Sequence, residues 1–116
     1  MKRLLMAVMG LSLAGCYSPS DLRQSAPRMA LQSESSATDV VACVVGAWEK
    51  RQASGNISVR PLPNGGTSIL IIGHVQQTVL VVDVRPRQSG SQTQVFAVSY
   101  VLGLEPYLSD VRTCAS

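Results

Sequence analysis

Thr67-Ser68-Ile69-Leu70-Ile71-Ile72-Gly73-His74-Val75-Gln76-Gln77-Thr78-Val79-Leu80-Val81-Val82-Asp83-Val84 decides the fold. Two nearly all-apolar runs, Ile69–Ile72 and Val79–Val82, sit either side of the punctuation Gly73-His74. A strand buried on one face alternates apolar with polar residues, whereas one apolar at every position has cover on both faces. The spacing therefore predicts two central strands, Thr67–Ile72 and Gln77–Val84, in a sheet partly covered on both sides.

Working outward, Ile57–Leu62 alternates weakly and stops at Pro63-Asn64-Gly65-Gly66, a strong turn signal. Pro61 and Pro63 suit an edge strand, because proline has no N–H to give to a ladder. On the other side the second run closes at Arg85-Pro86. The polar loop Arg87-Gln88-Ser89-Gly90-Ser91-Gln92 leads into Thr93–Leu102, which alternates around Val95, Ala97, Ser99 and Val101. Four strands joined in sequence make an antiparallel meander.

A helix is predicted over Thr38–Gln52. Ser36 and Asp39 have the S-x-x-D spacing of a capping box, and Ser54-Gly55-Asn56 is a stop signal. At 100° per residue, Val40, Val41, Cys43, Val44, Val45, Ala47 and Trp48 fill one arc, opposite Gly46, Glu49 and Lys50. That arc is wider than one surface requires, so a second element is expected to pack at the Cys43 flank and deliver Cys114. Pro106 opens a short C-terminal helix on which Leu104, Tyr107, Leu108 and Val111 follow the i, i+3, i+4, i+7 rule, with Cys114 on the same face. The fold class is α+β: an N-terminal helix packed on a four-stranded antiparallel sheet, a short closing helix and one disulfide.

The start of the chain is of a different kind. Lys2 and Arg3 form a positive n-region, and Leu4–Leu13 is an uncharged apolar stretch. It is too short to cross a bilayer core, which takes about 20 residues, and suits a cleaved signal. It closes with Leu13-Ala14-Gly15-Cys16, which resembles the lipobox of bacterial lipoproteins at every position. The resemblance implies residues 1–15 as an export signal and Cys16 as the lipid-bearing first residue of the mature chain. Its thiol would be alkylated with diacylglycerol before cleavage. By resemblance to sorting in enteric bacteria, Tyr17 after that cysteine, in place of an Asp, points to the outer membrane, facing the periplasm.

Loss of the signal removes Lys2 and Arg3. The remaining eight basic and seven acidic residues are scattered singly, so the precursor's +3 charge is no footprint of nucleic acid. Cys43 and Cys114 are then an even pair in an oxidising compartment and are expected to bridge. No metal site is expected, since His74 is the one histidine in the chain. Residues 16–36 are rich in Ser, Gln, Ala and Pro. They read as a flexible tether reaching ~25 Å from the membrane, with the stretch around Met29-Ala30-Leu31 free to rest against the domain. Residues 37–116 are read as the folded domain.

Chemistry is sparse. His74 stands alone and reads as solvated or structurally bonded. Asp83, inside an apolar strand, is expected to pair with Arg85 or Arg60 across the sheet. Trp48 lies inside the apolar arc and reads as core. There is no G-x-S-x-G, no nucleophile beside a base, no phosphate-cradling loop and no cofactor motif. The expectation is a non-enzymatic, lipid-anchored envelope lipoprotein with a structural or interaction role. Its partners would be the membrane, another envelope protein or a second copy of itself. The alternative is a small hydrolase inhibitor, since Ser89-Gly90-Ser91 resembles the Ser/Gly loops of periplasmic lysozyme-inhibitor lipoproteins. A closed barrel would favour the inhibitor, and an open sheet edge the interaction role. Two apolar sheet faces and only two helices further predict a second face left partly uncovered for a partner.

Overall fold

The computed structural model describes residues 18–51, 56–63, 65–73, 77–98 and 103–116. The expected signal segment, Cys16, His74, Asn64 and the expected strand end at Ser99 and Val101 lie outside the described residues. The elements run α1 (Pro19–Arg23), β1 (Met29–Ser33), α2 (Ala37–Lys50), β2 (Ile57–Pro61), β3 (Thr67–Ile72), β4 (Thr78–Pro86), β5 (Ser91–Ala97) and α3 (Glu105–Cys114).

The sheet is antiparallel, in the order β1-β5-β4-β3-β2. The meander from β2 to β5 is the expected one, with β4 at the centre, β3 beside it and the proline-bearing β2 at an edge. The fifth strand corrects the expected four. It comes from the segment read as a tether, which also supplies α1. Met29 pairs opposite Val95, Leu31 opposite Thr93 and Ser33 opposite Ser91, so a weakly patterned stretch becomes a strand by completing the edge of β5.

α2 lies across β3, β4 and β5. Ser36 caps it, its hydroxyl accepting from the Asp39 N–H at 3.1 Å. Val40, Val44 and Trp48 are fully buried against Ile69, Ile71, Leu80, Val82, Val84 and Val95. α3 completes this layer with Leu104, Leu108, Val111 and Ala115. The Trp48 ring meets Tyr107 edge-on at 5.9 Å, and its indole N–H donates to the Tyr107 carbonyl at 3.2 Å. That bond satisfies the polar handle of a fully buried aromatic, confirming Trp48 as core.

The opposite face carries the second apolar set: Leu70, Val81, Phe96 and Val98, with Leu22 of α1 seated among them. Each of these five is buried. The expectation of an uncovered second face is therefore overturned. Among the described residues the large apolar side chain left exposed is Val59 on the β2 edge, at 50 %.

Two glycines allow the sheet's ends to close. Gly66, at φ +103°, ends the β2–β3 turn, where Leu62 donates to its carbonyl at 3.1 Å. A Cβ there would come within 2.6 Å of the Val84 carbonyl oxygen. Gly90, at φ +86°, lets the β4–β5 loop lie against the end of β1, where a Cβ would collide with the Ser33 carbonyl.

Candidate functional site

Two places bring chemically distinct side chains together. The first is the seam between α1 and the β2–β3 edge. α1 is short, yet both of its ends are specified. Ser18 is the N-cap: its hydroxyl accepts from the Asp21 N–H at 3.2 Å, and the Asp21 carboxylate accepts from the Ser18 N–H at 3.0 Å. This is a complete capping box, with Pro19 in the first turn. The hydrogen bond from the Ser18 backbone is the main reason the Asp21 carboxyl is held below the ordinary range.

The cap aims Leu22 into the apolar cluster and Arg23 at the sheet. Arg23 Nε donates to Asp83 Oδ2 at 2.7 Å, and Nη2 donates to Asp83 Oδ1 at 2.8 Å and to Ser68 Oγ at 2.9 Å. The Asp83 side chain is 1 % exposed and that of Arg23 30 %. The hydrogen bonding to Asp83 holds the guanidinium still more firmly protonated. Asp83 was expected to pair with Arg85 or Arg60. Its partner is Arg23, because α1 covers the one stretch of this face where a buried carboxylate needs a bidentate donor.

Asp83 also belongs to a polar row across the sheet. Arg60 pairs opposite Ser68, Ser68 opposite Asp83, and Asp83 opposite Gln94. Arg60 is exposed at the outer end of that row, its Nε donating to Ser58 Oγ at 3.2 Å. Pro19, Ser20, Arg23, Arg60, Pro61 and Leu62 enclose part of an open cleft of about 240 Å³ at this seam. Both oxygens of Asp83 accept from Arg23, so this carboxylate is occupied as an ion-pair acceptor.

The second place is the junction of α2 and α3. Cys43 and Cys114 are bridged, with Cα atoms 5.7 Å apart. The width of the α2 arc predicted this delivery. Cys43 lies on the exposed side of that arc and Cys114 is half-buried against the core, so the bridge sits at the surface edge of the helical layer. Arg51, just past α2, reinforces the junction through a bidentate pair on Asp110, at 2.6 and 2.9 Å. Beside it runs a shallow groove floored by the small residues Ala42, Gly46 and Ala47.

Cys16, the expected lipidation site, and His74 lie outside the described residues. Among the described residues no cluster of three or more His, Cys, Asp or Glu side chains is placed to hold a metal ion. No described helix is long and apolar enough to cross a membrane. Arg23 and Ser68 are the site residues that sequence reasoning missed. A signal for Arg23 exists: Ser18-Pro19-Ser20-Asp21 repeats the S-x-x-D spacing used to place α2. No protein-family model, curated protein or solved structure matches this chain.

Proposed function

We propose that this chain is the precursor of a lipid-anchored lipoprotein of the bacterial cell envelope, held by Cys16. Its role is structural or interactive, without catalysis. The observation that carries the reading is the n-region, h-region and Leu13-Ala14-Gly15-Cys16 in the right order and spacing. The Cys43–Cys114 bridge supports it, because such bonds persist in exported, oxidising compartments. Tyr17 favours the outer membrane, with the domain facing the periplasm.

An open sheet with two edge strands supports an interaction role over an inhibitor barrel. Gly90 packs the 87–90 loop down on β1, which makes that loop a poor plug. Pro61 guards the β2 edge, whereas β1 ends the sheet without a proline between Met29 and Ser33. An envelope partner or a second copy would add its strand there.

The decisive test is Cys16→Ser expressed in cells. The thiolate is the group that is alkylated, so the variant should accumulate as unprocessed precursor and leave the detergent phase. Normal cleavage and detergent partitioning of that variant would refute the anchor. Density-gradient separation of the two membranes tests the outer-membrane assignment. Crosslinking in intact cells, followed by identification of the adducts, tests for a fixed envelope partner.

A further inference from the structure

The capped helix α1 starts close in sequence to the proposed lipid. Ser18 caps α1, and α1 is pinned to the sheet by buried Leu22 and by Arg23 on Asp83. Only Tyr17 separates Ser18 from Cys16. Two residue steps of fully extended chain reach no further than about 7 Å. A lipid on Cys16 would thus hold the domain at the membrane surface, not at the end of a long tether.

The position of α1 decides which surface meets the bilayer. Pro19 and Ser20, the residues nearest the anchor, line the cleft with Arg60, Pro61, Leu62 and Pro63. The cleft is open and about 240 Å³, room for a headgroup but not for an acyl chain. Its cations suit a phosphate. Arg60 is exposed at the rim, whereas Arg85, on the same face as Asp83, lies over the turn at Gly66 and outside the cleft lining. Arg23 forms the wall, its charge taken by Asp83. The acid on α1, Asp21, is turned to the Ser18 N–H.

We propose that the lipidated protein seats the α1–β2 seam directly on the bilayer, with a phospholipid headgroup phosphate in the cleft against Arg60. This rests on Cys16 being the lipid-bearing residue. The β1 edge, at the other end of the sheet, is then turned away from the anchor and left free.

The test uses the full protein, purified from cells with its intact mass measured. It is reconstituted in phosphatidylethanolamine–phosphatidylglycerol vesicles doped with a phospholipid carrying a photoreactive headgroup. Crosslinks should fall on residues 18–23 and 57–63, and be sparse on α2 and α3. Arg60→Gln should lower the β2 yield by roughly fivefold, the attraction of one basic residue to an anionic surface, with lipidation unchanged. A Gly-Ser insertion between Tyr17 and Ser18 should disperse the crosslinks while the lipid remains. A lipidated protein crosslinked mainly through α2 and α3, or evenly over its surface, overturns the seating alone. An unchanged yield in Arg60→Gln does so too. A mass lacking lipid at Cys16 removes the anchor and the seating together.

Discussion

Arg23 and Asp83, sixty residues apart in sequence, form a bidentate ion pair at 2.7 and 2.8 Å that fastens the N-terminal segment to the central strand. Asp83 is almost wholly buried, and both of its carboxylate oxygens are taken up by Arg23. Arg23→Ala should destabilise the domain by about 2–4 kcal/mol. That is somewhat less than breaking a pair buried on both sides, since water can enter on the exposed flank of Arg23. The double variant Arg23→Met/Asp83→Leu should recover most of the loss, because it leaves no uncompensated charge. Urea unfolding of the native protein, Arg23→Ala and the double variant measures this. A double variant no more stable than Arg23→Ala would contradict it.

The bridge between Cys43 and Cys114 spans 71 residues of sequence. Closing a loop of that length is worth roughly 4 kcal/mol on the chain-entropy account. Reduction should lower the urea midpoint substantially while leaving far-UV circular dichroism intact in buffer. α3 stays docked through Leu108, Val111 and the Arg51–Asp110 pair. Non-reducing peptide mapping that finds both thiols free in the protein purified from cells would remove the premise.

Thr93 sits fully buried in β5, facing the helical layer, and its hydroxyl has no hydrogen-bond partner. A buried unpaired hydroxyl costs stability that an isosteric methyl does not. Thr93→Val should therefore raise stability, by about 1 kcal/mol, and raise the thermal midpoint. A clear loss of stability would show that the hydroxyl has a partner after all.

Acid should loosen α1 through its cap. The Asp21 carboxyl is held below its ordinary range chiefly by the Ser18 N–H, so the folded state binds that proton less readily than the unfolded chain does. The contribution of the cap is thus fully present above about pH 5 and is lost as the pH falls below about 4. Protection of the Ser18 and Asp21 amides, taken relative to their intrinsic exchange rates at each pH, should fall across that window. Asp21→Asn should remove the pH step. An acid-insensitive cap in the native protein would be the contrary result.

Much of the architecture was legible in residues 37–116. The double apolar runs gave two inner strands, the prolines gave an edge, and the breadth of the α2 arc foretold a second helix bearing Cys114. Their burial is nearly forced by local periodicity. Arg23, its pairing with Asp83 and the fifth strand were not legible, although the cap at Ser18–Asp21 was written in the same spacing as the cap of α2. Five residues of helix and five of strand have no stability of their own.

The sequence by itself determined the meander, the two longer helices, the buried Trp48 and the pairing of Cys43 with Cys114. Each follows from the period of apolar side chains, the pairing included, because Cys114 falls on the helix face that packs at the Cys43 flank. Only the tertiary structure decided that residues 18–33 belong to the fold. β1 forms because β5 offers an unpaired edge, and α1 stays because Leu22 and Arg23 meet an apolar cluster and a buried carboxylate. Those partners lie some sixty residues away along the chain, where no local pattern reaches.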